Sequence, residues 1–400
     1  MVINMSEYNN VPKIRFKGFT DVWEQRKLGD VSFFKQGSQV DLDKQYSDLN
    51  ENRVRFIRIV DYTQNTDDIR YIDKELSNNI INEKDVVIVR YGATAGFVGH
   101  GITGVLANNM FTVNPENDVA KDYLYIYLKQ DKIYKKLNNS NGSSAMPALN
   151  FGTVKDVGIA YPLVAEQEKI GELFTNLDNL ITLHQRKCDN LINVKKSLLE
   201  KMFPKNSSNI PEIRFKGFTD VWEQRKLEDI GDNFSTGTLG YADLSEDGKY
   251  KCVLYGDLYT KFNERIFNVK SRTNTEATKV EINDILFPTS TTVDNISLIA
   301  PSCVNQANIR VGGDLFGIRP YKNIDGNFIS YCINNFSPIK YSFAKQAQGL
   351  TIVHLQYNAV KNEILMVPSI DEQKRMSQLF IEIDNLITLH QRKKNREGND

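Results

Sequence analysis

The sequence predicts an α+β protein: two β-rich globular domains joined and separated by long helices that pack as an antiparallel coiled coil. A pseudo-two-fold internal repeat relates the two halves. Two repeated stretches carry this prediction. IRFKGFTDVWEQRKL fills residues 14–28 and returns, letter for letter, at 213–227, which is 213 − 14 = 199 positions later. DNLITLHQRK fills residues 178–187 and returns at 384–393. A repeat this long indicates a duplicated domain with its connector rather than a solenoid.

The segments between the repeats have almost equal lengths and unrelated sequences. The first, 29–177, has 149 residues and the second, 228–383, has 156, so one architecture serves two tasks. We expect six parts, which are an N-terminal repeat segment (1–23), a first β-rich domain (24–162), a first spacer helix (163–205), a second repeat segment (206–222), a second β-rich domain (223–367) and a second spacer helix with a polar tail (368–400).

Apolar residues three and four positions apart predict both spacer helices. The first, bounded by Pro162 and Pro204, has roughly 39 residues and a length of about 58 Å. The second is shorter, about 25 residues or 37 Å, and ends near Lys394 in a polar tail. Each seam needs a partner, and we expect it to be the other helix. The seam residues are Leu173, Phe174, Leu177, Ile181, His184, Leu379, Phe380, Ile383, Ile387 and His390.

The two histidines of the seam stand in identical contexts, which suggests catalysis at first sight. A polar residue on such a seam more often sets the register between paired helices. We therefore interpret His184 and His390 as structural.

The two long segments between the repeats show strand and turn patterns. VVIVRYGATAGFVG at 86–99 predicts a strand, a glycine turn and a second strand, and DILFPTSTT at 284–292 predicts another strand. KDYLYIYLKQDKIYKKL at 121–137 predicts a helical stretch. Each segment also ends in a polar loop before its last strand, at 138–151 and at 344–357.

Composition sets limits on the class of protein. Fifty basic residues balance fifty acidic ones, so net charge favours neither nucleic acid nor membrane. Four scattered cysteines without a CxxC pair predict no disulfide framework and no metal site. The polar start and the lack of an apolar run of about 18 residues predict a cytoplasmic protein without a membrane span.

Catalytic motifs are weak or missing. GHGITG at 99–104 matches GxGxxG without a following helix, and no GxxxxGK[ST] loop occurs. Glu372-Gln-Lys374 resembles a nuclease triplet but lies on the seam helix, so we interpret it as structural. Trp23 and Trp222 lie in identical repeats, which favours docking or core packing over base stacking. The sequence predicts no catalytic residue.

The polar loops carry side chains suited to hydrogen bonding with base edges and phosphates. For any single residue a plain solvated loop is at least as good an explanation. The DNA-binding candidates are Arg90, Tyr91, Thr94, Asn141, Ser143 and Ser144 in the first segment, and Ser290, Thr291, Thr292, Gln346, Gln348 and Thr351 in the second.

This organisation resembles the specificity (S) subunit of Type I restriction-modification systems over essentially the whole chain. The resemblance rests on the repeat order, on WEQRKL opening each variable half, and on the EQ and LDNLI/IDNLI helices closing them. It implies two target recognition domains, each reading one half of a bipartite asymmetric sequence in double-stranded DNA. It also implies that the helices are the family's conserved spacers, and a rod of 37–58 Å suits half-sites about one turn, 34–36 Å, apart.

The resemblance also implies partners. They are two methyltransferase subunits, which use S-adenosylmethionine, and restriction (motor and nuclease) subunits, which use ATP and Mg. The chain itself then binds no cofactor and is not an enzyme. Two alternatives are a self-contained nuclease or methyltransferase, disfavoured by the missing motifs, and a non-catalytic interaction scaffold without its own sequence readout.

Overall fold

The structure is a computed structural model that describes residues 12–64, 66–77, 79–116, 118–139, 148–205 and 208–397. The chain divides into two compact units, Met1–Ile181 and Thr182–Asp400, here called unit 1 and unit 2. The boundary falls inside one long helix. Each unit is described by itself.

Unit 1 is built from short strands and helices that surround two apolar cores. Its strands are β1 Glu24–Lys27, β2 Ser32–Gln36, β3 Arg53–Ile57, β4 Arg70–Asp73, β5 Ile80–Ile81, β6 Val86–Val89, β7 Val98–Gly99, β8 Gly104–Leu106, β9 Met110–Pro115 and β10 Gly158–Tyr161. Its helices are α1 Leu28–Val31, α2 Ile59–Thr63, α3 Lys121–Leu128, α4 Asp131–Asn139, α5 Phe151–Lys155 and α6 Val164–Lys201, with 3-10 turns at Leu42–Lys44 and Lys74–Leu76.

Strand β6 lies between the two cores of unit 1. The described strands form sheets in the orders β2-β9-β6-β7, β4-β3-β8-β5 and β1-β10. Because side chains alternate along a strand, Val86 and Ile88 enter one core while Val87 and Val89 enter the other. This explains why VVIV is apolar at every position. The predicted strand, turn and strand at 86–99 are confirmed, since β6 pairs antiparallel with β7.

The helical stretch predicted at 121–137 is two helices, α3 and α4, rather than one. Asp131 lies in the first turn of α4, where its carboxylate interacts favourably with the positive end of the helix dipole. The GxGxxG match is a turn between strands, because Gly101 has a φ of 89° and β8 follows at Gly104.

Unit 2 repeats the arrangement of unit 1 with different sequence. Its strands are β11 Glu223–Lys226, β12 Gly231–Ser235, β13 Tyr250–Val253, β14 Arg265–Ile266, β15 Arg272–Thr273, β16 Lys279–Val280, β17 Ile285–Pro288, β18 Ser290–Thr291, β19 Ser302–Val304, β20 Ile309–Val311, β21 Leu315–Pro320, β22 Val353–His354 and β23 Ile364–Val367. Its helices are α7 Asp257–Thr260, α8 Asn295–Leu298, α9 Gly326–Asn335, α10 Ser337–Lys345, α11 Tyr357–Val360 and α12 Ile370–Glu397, with 3-10 turns at Leu227–Asp229 and Tyr241–Asp243.

The sheet orders show the correspondence between the units. In unit 2 they are β12-β21-β17-β19-β14, β15-β13-β20-β16, β18-β22 and β11-β23. The order β12-β21-β17 matches β2-β9-β6, and β15-β13-β20-β16 matches β4-β3-β8-β5, with the central pair parallel in both four-stranded sheets. The expectation of one architecture with two different contents is therefore confirmed at the level of each unit.

The repeated sequence forms the same contacts between the beginning and the end of each unit. Strand β1 pairs antiparallel with β10, and β11 pairs with β23. The Arg15 guanidinium donates to both oxygens of Glu166, a side chain only 1% exposed. In unit 2, Arg214 donates to both oxygens of Glu372, also 1% exposed, at 2.8 and 2.7 Å. The interpretation of Glu372-Gln-Lys374 as structural is confirmed by this ion pair.

A buried glutamine beside each ion pair fixes the loop before a helix. Ala120 N donates to Gln167 Oε1 at 2.8 Å, and Gln167 Nε2 donates to the carbonyls of Asp118 and Pro162. In unit 2, Asp325 N donates to Gln373 Oε1 at 2.9 Å, and Gln373 Nε2 donates to the carbonyls of Asn323 and Pro368. Both amides are fully buried, and burial at this depth requires such partners.

The two long helices have nearly the predicted lengths. Helix α6 has 38 residues and α12 has 28. The prediction that the second helix ends near Lys394 is short by one turn, because α12 continues to Glu397. Arg and Glu have high helix propensity, so the charged residues extend the helix instead of ending it.

Candidate nucleic-acid interface

In unit 1 the polar loop returns directly onto the end of strand β6. Leu149 N donates to the Arg90 carbonyl at 2.9 Å, and Tyr91 forms a bridge with Ala148. The segment before Ala148, which contains the candidates Asn141, Ser143 and Ser144, lies outside the described residues. Ala148, the first described residue after this segment, pairs with Tyr91.

Arg90 holds this junction together with its side chain. Its Nε donates to the Leu149 carbonyl at 3.1 Å and its Nη1 donates to Gln36 Oε1 at 3.2 Å. The guanidinium also lies 4.8 Å from the ring centroid of Tyr91 and 5.5 Å from that of Phe151. Arg90 therefore positions the loop, while the exposed Tyr91 beside it presents a ring at the surface.

Thr94 lies on the glycine turn that follows β6. Its carbonyl accepts from Phe97 N at 3.0 Å, and the flanking Gly92 and Gly96 both have a φ of 86°. Its side chain is half-buried. Thr94 thus lies three residues from Tyr91 on the same turn.

In unit 2 the same junction is a short ladder. Ser290 pairs with His354 and Thr291 with Val353, so β18 and β22 run antiparallel. Gln348 bridges His354, with backbone bonds of 2.9 and 2.7 Å in the two directions. These pairings define the 348–354 hairpin. They bring candidates that are about 60 residues apart in sequence to one place.

The side chains of these unit 2 candidates differ in their accessibility. Thr292, Gln348 and Thr351 are exposed. Thr291 is only 4% exposed and its Oγ1 accepts from Val293 N at 3.3 Å, so a direct DNA contact by Thr291 is not supported. Gln346 is half-buried and donates to Glu363 Oε1 at 2.8 Å. Thr291 and Gln346 thus stabilise the loops that carry their neighbours.

The tip of the 348–354 hairpin carries apolar residues that sequence reasoning missed. Leu350 is fully exposed and Ile352 is 48% exposed. Gly349 has a φ of 130°, and a Cβ there would collide with the Ile352 carbonyl oxygen, so the turn requires glycine. The sequence held no signal for this tip, because it depends on the pairing of β22 with the distant β18.

One fixed negative charge lies next to the hairpin. Asp294 caps α8, since its Oδ1 accepts from Ser297 N at 2.8 Å. This backbone bond lowers the pKa of Asp294, so the carboxylate stays charged at neutral pH. Lys345, at the end of α10, is exposed.

The two long helices meet within unit 2 in antiparallel direction. His184 Nδ1 lies 2.9 Å from His390 Nδ1, and their ring centroids are 5.1 Å apart. Further along, Lys195 Nζ lies 2.8 Å from Asp384 Oδ1. Because the contacts advance along α6 while receding along α12, the helices run in opposite directions. The interpretation of both histidines as helix-pairing residues agrees with this contact.

Three of the ten predicted seam residues pack in the core of unit 2. Phe380 and Ile383, 1% and 6% exposed, join the core of unit 2, with Leu379 packed beside them, and Ile387 is half-buried. In unit 1, Leu177 and Ile181 are half-buried. Leu173 and Phe174 are 44% and 39% exposed, so their predicted burial in a seam is wrong. The globular core competes with the opposite helix for the same apolar face.

The residues that the structure describes contain neither a metal-binding cluster nor a membrane-spanning helix. No group of three or more His, Cys, Asp or Glu side chains there is arranged to hold a metal ion. No helix in that part of the chain is long and apolar enough to cross a membrane.

Comparison with known proteins points in one direction. The family model described as Type I restriction modification DNA specificity domain matches residues 20–193 and 219–397. The chain is 23% identical to the Type I restriction enzyme MjaVIII specificity subunit of Methanocaldococcus jannaschii, covering 98% of this chain and 94% of the relative. It is 22% identical to the MjaIX specificity subunit of the same organism, over 74% and 69% of the two chains.

The fold also occurs in a solved structure of a similar protein. The Type I restriction-modification system S subunit from M. genitalium superposes with a TM-score of 0.58 at 13% identity, over 97% of this chain and 96% of that one.

Proposed function

The chain belongs to the Type I restriction modification DNA specificity family, and from this premise we propose that each unit reads one half of a bipartite, asymmetric target. It is a specificity subunit, a non-catalytic component that gives a Type I restriction-modification enzyme its DNA target. Such subunits bind DNA and assemble with methyltransferase and restriction subunits.

One observation carries the proposal about the half-sites. In both units a polar loop returns onto the end of a buried strand, at Tyr91 and Ala148 in unit 1 and at Ser290 and His354 in unit 2. The junctions have the same construction and different exposed side chains. A shared frame with different surface groups is what two readers of different base sequences require.

The repeated frame supports a further part of the proposal. Two methyltransferase subunits, which supply S-adenosylmethionine chemistry, bind two like elements of this chain, and the restriction subunits supply ATP and Mg. In this proposal the partner subunits, and not this chain, hold the cofactors. The β1–β10 and β11–β23 ladders with their Arg–Glu ion pairs are identical in pattern, as identical partners need.

The test is modification of DNA in a host without methylation of its own. The chain is co-expressed with its methyltransferase subunit, and modified bases are mapped by single-molecule sequencing. We expect a two-part asymmetric motif that is lost when the chain is omitted. A continuous or palindromic motif would contradict the proposal of two different readers.

The second step changes Gln348 and Thr351 together to alanine. A good base contact contributes about 1–3 kcal/mol of discrimination between bases. We therefore expect discrimination against wrong bases to fall by about 5- to 150-fold in one half of the motif. The other half of the motif is the internal control. If both halves degrade together, the loops stabilise the complex rather than read bases.

A further inference from the structure

Unit 2 holds one aromatic side chain inside a cage of four others. Phe203, just after the end of α6, is 1% exposed. Its ring centroid lies 6.1 Å from Trp222, 5.7 Å from Phe328, 5.9 Å from Phe336 and 6.5 Å from Phe380. Leu199 and Met202 of the same helix end are buried in the same core. The helix end thus fills a groove on unit 2.

Unit 1 contains the twin of this groove. Trp23 corresponds to Trp222 by the first repeat, and Phe174 corresponds to Phe380 because both lie four residues before the second repeat. Tyr123 corresponds to Phe328, since each lies three residues after the backbone N–H that donates to the buried glutamine. Trp23 and Tyr123 meet edge-on at 6.1 Å and 75°, as Trp222 and Phe328 do at 5.7 Å and 66°. The cage wall is therefore already formed in unit 1.

The twin groove is more exposed at every compared position. Phe174 is 39% exposed against 1% for Phe380. The half-buried residues of unit 1, with their buried twins in unit 2, are Trp23 with Trp222, Ile170 with Met376, and Leu177 with Ile383. This difference is the one expected where a helix end such as 199–203 covers one groove and leaves the other open.

The acidic residue beside each groove differs between the units in the same way. In unit 2, Asp384 holds Lys195 of the covering helix at 2.8 Å. Its twin in unit 1 is Asp178, whose side chain is 56% exposed and lies 3.8 Å from Lys129 Nζ. An acidic group therefore lies beside the groove where a lysine-bearing helix would approach.

We propose that the groove formed by Trp23, Tyr123, Ile170, Phe174 and Leu177 is a docking site for a helix end supplied by another polypeptide. The occupant has the chemistry of residues 198–203, with apolar side chains three and four positions apart, a terminal phenylalanine and lysines in the preceding turns. Its phenylalanine enters the cage wall, and a lysine pairs with Asp178. This site does not depend on the reading of DNA.

The test uses the full chain and a fluorescein-labelled peptide with the sequence of residues 191–204. We expect saturable binding by fluorescence anisotropy. We also expect a blue shift of tryptophan emission, which reports on half-buried Trp23 because Trp222 is already buried. The control peptide has alanine in place of its phenylalanine. We expect its affinity to be lower by at least about tenfold, because burial of a large apolar side chain is lost.

A matched pair of chain variants locates the site. Phe174→Asp places a charge in the groove, and Leu42→Asp makes the same kind of change at a residue that is 85% exposed in unit 1. We expect at least about a tenfold loss of peptide affinity for the first variant and none for the second. Failure of the peptide to bind the wild-type chain would overturn the proposal, as would equal binding to wild type and Phe174→Asp.

Discussion

At the scale of single residues, one ion pair has the same role in both units. Arg15 with Glu166 and Arg214 with Glu372 form buried bidentate pairs whose carboxylates are 1% exposed. A buried ion pair stabilises a fold only when its geometry and remaining hydrogen bonds are satisfied. Both units meet this requirement with the same arrangement, an arginine that donates to both oxygens of a buried glutamate.

Removal of one partner should be costly. In Arg214→Leu the Glu372 carboxylate stays buried without its cation, so we expect the free energy of unfolding to fall by about 3–5 kcal/mol. Urea unfolding followed by circular dichroism measures this loss. The double variant Arg214→Leu with Glu372→Leu should recover part of the stability, because no unpaired charge remains. A single variant as stable as wild type would show that the pair is not buried in solution.

The buried cysteines should react slowly. Burial raises the pKa of Cys252 to about 11, so nearly all of the thiol is neutral at pH 8, and only the thiolate is nucleophilic. At pH 8 about one thiol in a thousand is ionised. We expect negligible labelling of Cys252 by iodoacetamide in the native chain, measured by mass spectrometry. The urea-unfolded chain is the control, and equal rates in the two states would contradict the burial.

Residue type alone could not separate the exposed candidates for DNA contact from the side chains that stabilise the loops. Gln346 and Gln348 are equivalent letters on one loop, yet the first donates to Glu363 and the second is exposed. Thr291 and Thr292 are adjacent, and only the second reaches the surface. These differences arise from the pairing of strands far apart in sequence. The local sequence pattern does not predict such pairing.

At the scale of elements, periodicity predicted what is long and regular. The spacer helices follow from apolar spacing, and the strands β6 and β17 follow from short apolar runs. The ladder of β18 with β22, at two residues per strand, is too short to leave a period. The end of α12 was missed because charged residues continue a helix as readily as they form a tail.

The 348–354 hairpin provides a test at this scale. In Gly349→Ala the new Cβ meets the Ile352 carbonyl at a φ of 130°, so the tip must move. We expect the modified motif to lose definition in one half only, with an unchanged circular dichroism spectrum. Gly158→Ala is the control, since nothing lies within 4 Å of a Cβ there. Loss of both halves would mean that the change is not confined to the hairpin.

At the scale of the whole molecule, the duplicated sequence does not produce two equally buried copies. The repeats predicted that Phe174 and Phe380 would have equivalent roles. Their surroundings differ because the side chain that covers Phe380 is Phe203, which lies outside the repeated letters. The repeated sequence predicts that the two units have the same fold. How deeply a given residue of each unit is buried depends on which other part of the chain packs against it.

The twin phenylalanines should therefore differ in their contribution to stability. We expect Phe380→Ala to cost about 3–5 kcal/mol of unfolding free energy. Phe174→Ala should cost less than about 1 kcal/mol, because its ring is already 39% exposed. Parallel urea titrations of the two variants measure the difference. Equal losses would show that both grooves are covered in solution.

The ladders at the base of each unit have a consequence for chain entropy. Four residue pairs join β1 to β10 and four join β11 to β23, so the two ends of each variable segment already lie side by side. Most of the entropy of closing that loop is lost once, when the ladder forms. Doubling the length of the enclosed segment then adds only about 0.6 kcal/mol. A segment of different length and sequence, enclosed between positions 27 and 158 or between 226 and 364, would meet the same pair of strand ends.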